Sequence, residues 1–163
     1  MAATPSIVAS RTTSSILSPL STAWTRVSWT AGSGGGAPSL LFVSGQLPLG
    51  PEGTLDDRLR GKLRPDSPIE PAREAARRCA INVLAQAQSA LGDLDNVVQV
   101  VRLGGFFSVA TSFDALPQAM NGASDLMAEV FGERGLHART TVGVAYLPMN
   151  ALAEVEALFE ISA

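Results

Sequence analysis

Ala138-Arg139-Thr140-Thr141-Val142-Gly143-Val144-Ala145-Tyr146-Leu147-Pro148, followed by Ala153-Glu154-Val155-Glu156-Ala157-Leu158-Phe159-Glu160-Ile161, is the stretch on which the fold turns. Both runs alternate with a period of two, large against small or apolar against polar, which predicts two strands. Pro148-Met149-Asn150 between them reads as a turn, because proline lacks a ladder donor and asparagine tolerates turn geometry. The expectation is a hairpin. On its second strand Glu154, Glu156 and Glu160 share one face, and Val155, Ala157, Phe159 and Ile161 the other. A guanidinium and a carboxylate beside apolar strands are costly without partners, so Arg139 and Glu154 become the candidate site residues. With the turn centred on Met149 and Asn150, Arg139 stands opposite Glu160, and Glu154 lies on the order of 18 Å away at ~3.3 Å per residue. The pair could then share a small ligand only if two copies of the chain packed together. The competing reading is a solvated glutamate face with Arg139 as its structural partner.

Upstream of this stretch, Leu116, Met120, Ala123, Met127, Val130 and Phe131 recur at helical spacing, with Asp114 as a candidate cap, Pro117 in the first turn and Gly132 and Gly135 as stops. Before it, Val97-Val98-Gln99-Val100-Val101-Arg102-Leu103 reads as a central strand. It continues through Gly104-Gly105, an expected bend, to Phe106-Phe107-Ser108. The clearest helix runs from Pro71 to Leu91, with Ala72, Ala76, Cys79, Ala80, Val83, Leu84, Ala87 and Leu91 on one face. Glu74 and Arg78 are spaced for an i,i+4 ion pair, and Gly92 fits the stop. Cys79, on the apolar stripe, reads as a small core residue and not a nucleophile.

Leu40-Leu41-Phe42-Val43-Ser44-Gly45-Gln46-Leu47 reads as a strand buried on both faces, with Gly45 marking a bulge or a close backbone approach. Pro48 to Pro68 reads as an exposed excursion. Thr25 to Ala31 is a first strand. The following Gly32-Ser33-Gly34-Gly35-Gly36-Ala37 fits a phosphate-loop pattern, but Pro38 and a strand follow it where a helix would be needed, so it is read as a hairpin loop. The element order, β-β-(loop)-α-β-α-β-β, predicts an α+β fold: a mixed sheet with two helices on one face.

The chain has 163 residues, 46% hydrophobic and 17% charged, which suits one domain and an apolar surface partly covered by other subunits. Residues 1–24 read as an N-terminal arm and 25–163 as the domain. The arm is rich in Ser, Thr and Ala and holds Arg11 but no acid, a composition similar to a transit peptide. A cytoplasmic location is the default expectation, with an organellar address as the alternative. A net charge of −3 provides no basic footprint for nucleic acid. Cys79 is the only cysteine and His137 the only histidine. An intrachain disulfide, a two-histidine metal site and a histidine-pair ribonuclease are thereby excluded. No apolar run reaches the ~18 residues that a membrane span requires.

Three segments resemble, in this order, motifs of the YjgF/RidA family, also called endoribonuclease L-PSP proteins or reactive-intermediate deaminases. They are Val43-Ser44-Gly45-Gln46-Leu47-Pro48, the run from Ala138 to Pro148, and Ala153-Glu154-Val155-Glu156-Ala157. Asn121-Gly122-Ala123-Ser124-Asp125-Leu126 resembles a divergent branch of that family. The resemblance implies a chorismate-mutase-like fold and a homotrimer with clefts between subunits. It also implies cofactor-free, metal-free hydrolysis of small enamines or imines, such as 2-aminoacrylate, to 2-keto acids and ammonia. Under it Arg139 binds the substrate carboxylate and Glu154 positions the attacking water. Ser44 and the backbone at Gly45 line the cleft, with Thr141, Trp24 and Asn121 as further substrate-binding candidates. The expected partner is a small carboxylate-bearing imine, with neither nucleic acid nor membrane. Three departures stand out: Thr141 replaces a cysteine common in the deaminases, Trp24 stands where a tyrosine is expected, and the loop from Gly32 to Pro38 is longer than usual. Two other functions compete, a non-catalytic trimer that binds small carboxylates or proteins, and a ribonuclease, which the acidic balance and solitary histidine disfavour.

Overall fold

The computed structural model describes residues 39–162 in full and the backbone of 7–10 and 24–29. The glycine-rich loop before Ser39 and most of the N-terminal arm lie outside the described residues. The strands are β1 (Ile7–Ser10), β2 (Trp24–Trp29), β3 (Ser39–Gln46), β4 (Val97–Ser108), β5 (Ala138–Val144) and β6 (Ala153–Ile161). They form one sheet in the order β1-β2-β3-β6-β4-β5. All neighbours are antiparallel except β4 and β5, which run parallel. Helix α1 (Glu70–Leu91) packs on β3 and β6, α2 (Leu116–Phe131) packs on β4 and β5, and the two helices pack on each other. This is the expected mixed sheet with two helices on one face. Ile7–Ser10 adds an edge strand from within the segment read as an arm.

The helices follow their apolar stripes. Ala72, Ala76, Cys79, Ala80, Val83, Leu84 and Ala87 are all buried on α1, and these small side chains bring the helix axis close to the sheet. Glu74 pairs with Arg78 at 3.1 Å, and Gly92 ends α1 at φ 77°. On α2 the stripe is right except at Val130, which is exposed, and Asp114 does not cap the helix: Ala115 stands at the N-cap without a side-chain bond.

The expected hairpin of β5 and β6 does not form. β4 lies between them, pairing with β5 on one side and β6 on the other. The physical reason lies in the link. Met149 and Asn150 adopt positive φ, and Arg60 Nη1 donates to Met149 O at 2.7 Å while Gly61 N donates to Asn150 O at 2.8 Å. The excursion between β3 and α1 thus ties the link down and carries it past the end of β4. Arg139 accordingly stands in register with Leu103, and Leu103 with Ala157, not with Glu160. The excursion is not wholly exposed either, because Leu55, Leu59 and Leu63 are buried in the core.

Two further expectations change. β3 is half-buried: Leu41 and Val43 face the helices, whereas Phe42 is 44% exposed on the uncovered face of the sheet. Gly104-Gly105 is no bend but a place of close approach within β4. A Cβ at Gly104 would meet Glu156 Oε1 at 2.6 Å, and one at Gly105 would run into Met120 Sδ. One face of β4 therefore accepts β6's carboxylate and the other accepts α2.

Candidate functional site

Register decides which face each candidate residue occupies. Gly105 looks toward α2, so Leu103 and Phe107 do too, and with them their β5 partners Arg139, Thr141 and Gly143. Gly104 and Phe106 look to the open face, with their β6 partners Glu156 and Glu154. Arg139 and Glu154 therefore lie on opposite faces of one sheet. They are also offset by three residues, about 10 Å along the strands, and two strand spacings, about 10 Å across. One chain does not bring the two together.

Around Glu154 the structure gathers two of the expected residues. β3 carries a bulge between Val43, which pairs with Ala157, and Gln46, which pairs with Val155. Ser44 and Gly45 are the two bulge residues set against Glu156 alone. The buried Gln46 amide donates to Ser44 O at 3.0 Å and Gly45 O at 3.2 Å and so stitches the bulge. A Cβ at Gly45 would run into the Glu154 carboxylate, so both readings of that glycine hold at once, bulge and close approach. Burial, then the neighbouring Glu156 charge, pushes the Glu154 carboxyl above its ordinary range. Ser44 lines a cavity of about 380 Å³ on the open face with Phe42, Leu158, Arg102 and Glu156, the last two ion-paired at 3.2 Å. Trp24 begins β2 with its backbone opposite Val43.

Around Arg139 a second cluster forms at the edge strand. Nη1 donates to Asn121 Oδ1 at 2.8 Å and to Ser124 Oγ at 3.0 Å, and Nη2 donates to Pro117 O at 3.2 Å. All three acceptors come from α2 at positions i, i+4 and i+7, one helix face. These bonds use three of the five guanidinium N–H groups. Nε–H and one Nη2–H have no partner among the described residues, and the side chain is exposed. Thr141 is half-buried two residues along on the same side of β5. Asn121 is thus a tether of Arg139. Ser124, Pro117 and His137, which approaches Ser124 Oγ to 3.0 Å through Nε2, are site residues that sequence reasoning missed. The signal was the Asn121-to-Leu126 segment, whose helical spacing from Pro117 puts Ser124 on the same face as Asn121.

Cys79 stays out of the site. Its Sγ lies 3.5 Å from Ala153 O, and burial, aided by the Glu154 charge, pushes its thiol far up. No group of three or more His, Cys, Asp or Glu able to hold a metal occurs among the described residues.

Against known families, residues 33–161 match the model described as "YjgF/chorismate_mutase-like, putative endoribonuclease". The chain belongs to the YjgF/RidA family. This YjgF chain is 46% identical over 123 residues to protein TCP17 of Trypanosoma cruzi, covering 75% of each. Among solved structures it is similar to Atu1372 of Agrobacterium tumefaciens, a protein of unknown function, at 43% identity and a TM-score of 0.71 over 76% of this chain and 78% of that one. It is also similar to a "putative endoribonuclease" of Shewanella oneidensis MR-1, at 34% identity and a TM-score of 0.70 over 81% and 89% of the two chains. No helix among the described residues is long and apolar enough to cross a membrane.

Proposed function

We propose that this YjgF-family chain is a cofactor-free hydrolytic deaminase of small 2-imino acids, working in a homotrimer whose clefts lie between subunits. The observation that carries the reading is Arg139. Its guanidinium is held from one side by α2 and keeps two N–H groups for an incoming ligand. Two donors on one planar group suit the two oxygens of a carboxylate. Glu154 complements it, since a carboxyl pushed upward in pKa is a better general base near neutral pH than an ordinary one. The separation of the two residues within one chain favours a site to which Arg139 comes from one subunit and Glu154 from another.

In the reaction, Arg139 grips the carboxylate of an iminium such as 2-iminopropionate, the tautomer of 2-aminoacrylate. Glu154 accepts a proton from a water as its oxygen bonds to the iminium carbon. The tetrahedral adduct takes that proton back on nitrogen, the C–N bond breaks as the adduct's hydroxyl proton passes to Glu154, and ammonia and the 2-keto acid leave. Positioning accounts for most of the required help. Endoribonuclease action, named in the family's description, finds less support, since the imidazole of His137 is engaged at both nitrogens.

The test is ammonia release from freshly generated 2-iminopropionate. Wild-type protein is expected to accelerate it and Arg139→Ala to abolish the acceleration. A wild-type rate equal to that in buffer overturns the proposal.

A further inference from the structure

Behind Arg139 stands a short chain of hydrogen bonds whose directions follow from donor and acceptor chemistry when the imidazole is neutral. His137 Nδ1 lies 2.6 Å from Gly135 O, and His137 Nε2 lies 3.0 Å from Ser124 Oγ. A carbonyl oxygen only accepts, so Nδ1 carries the proton. In the neutral ring Nε2 is then an acceptor, and the Ser124 hydroxyl must donate to it. Its remaining lone pairs point elsewhere, and Arg139 Nη1 takes one at 3.0 Å. The order is Gly135 carbonyl, imidazole, hydroxyl, guanidinium, each oriented by the one before.

The carbonyl at the base of this chain belongs to a tightly packed turn. Gly135 is buried, and a Cβ there would run into the backbone of Met127 on α2, so the turn between α2 and β5 sits hard against the helix. His137 is half-buried, and Ser124 lies one helical turn from Asn121, the other Nη1 acceptor. Without the imidazole, the Ser124 hydroxyl would be free to rotate, and its proton would compete with Arg139 for the same space.

We propose that Ser124 and His137 are positioning residues: they set the orientation of the Arg139 guanidinium so that its unbonded N–H groups stay turned toward the ligand. The consequence for carboxylate binding rests on the proposed function; the tethering itself does not. Nitrogen-detected NMR of the single imidazole reads the tethering directly. At a pH high enough to leave the ring neutral, the expected result is a proton on Nδ1 and an Nε2 resonance that moves in Ser124→Ala and in Arg139→Lys. A ring protonated at Nε2, or one indifferent to both substitutions, overturns the proposal.

Pyruvate, as a stable carboxylate probe, reads the consequence. Ser124→Ala should weaken its binding about tenfold, the scale of one hydrogen bond to a charged group, and Ser124→Thr, which keeps the hydroxyl, should restore it. Unchanged affinity in Ser124→Ala overturns the positioning role. Should Ser124→Ala fail to fold, His137→Asn must produce the same loss, or the role is again overturned. A wild-type protein that ignores pyruvate removes the carboxylate reading of Arg139, while the imidazole signal still decides whether Ser124 and His137 hold the guanidinium.

Discussion

Arg139 and Glu154 sit in different surroundings, and they should fail differently. Arg139 is exposed and tethered by three acceptors, so Arg139→Ala should leave the thermal midpoint within the change expected from losing about 1 kcal/mol, while imine hydrolysis disappears. Calorimetry beside the ammonia assay separates the two effects. Glu154 is half-buried with its carboxyl pKa raised by desolvation first and by Glu156 second. A carboxyl whose folded pKa exceeds its unfolded value binds more protons when folded between the two values, so stability falls as pH rises through that window. Ionised Glu154 therefore costs stability at neutral pH. Glu154→Gln should raise the midpoint at pH 7 and lose this advantage once the pH has fallen below the ordinary glutamate range, where both states are protonated. Catalysis runs the other way. The base must be ionised, so activity should fall with decreasing pH at a point above the ordinary glutamate range, and that limb should vanish in Glu154→Gln.

At the scale of elements, two close approaches hold the site's frame. The β3 bulge exists because Gly45 has no side chain where Glu154 rests. Gly45→Ala should cost about 1–3 kcal/mol by overpacking. Because the carboxylate that it strikes can be removed, Gly45→Ala combined with Glu154→Ala should show a coupling of about 1 kcal/mol in a denaturant-unfolding cycle. Strict additivity would mean that the glycine serves the bulge alone. Gly122 in α2 offers a contest of effects. Replacing a mid-helix glycine by alanine gains about 1 kcal/mol of helix propensity. Here the new Cβ would run into Arg73 O on α1, backbone that cannot swing aside. Overpacking should win, and Gly122→Ala should unfold at lower denaturant than wild type. The surface ion pairs between the same helices, Arg73 with Asp125 at 2.6 Å and Arg77 with Glu129 at 2.7 Å, are exposed and contribute little by comparison.

At the scale of the whole molecule, the sheet has one face under two helices and one face open. Phe42, Val98 and Val142 are each about two-fifths exposed, Phe42 and Val142 on the open face and Val98 at the start of β4, where the ladder bulges. If Arg139 and Glu154 act across a subunit interface, two inactive variants can rescue one another. Mixing Arg139→Ala with Glu154→Gln after dissociation and reassembly should restore about a quarter of the wild-type rate, since random mixing leaves about one interface in four with both residues intact. No recovery in mixed assemblies, with light scattering showing that they formed, would place both residues' work within one chain.

The sequence by itself determined the local choices. Period-two and helical spacing placed the strands and helices, the alternation along β6 separated its glutamates from Val155, Ala157, Phe159 and Ile161, and the motif around Ser44 and Gly45 marked the bulge. These were legible because each depends on neighbours within a few residues. Only the tertiary structure decided that β4 would come between β5 and β6, since strand order depends on which edges meet after collapse and a turn-like Pro148-Met149-Asn150 says nothing about that. The same insertion put Arg139 on the α2 side of the sheet and Glu154 on the open face. It also assembled Pro117, Asn121, Ser124 and His137 around one guanidinium, because hydrogen bonds between a helix and a strand edge join residues that no spacing rule relates.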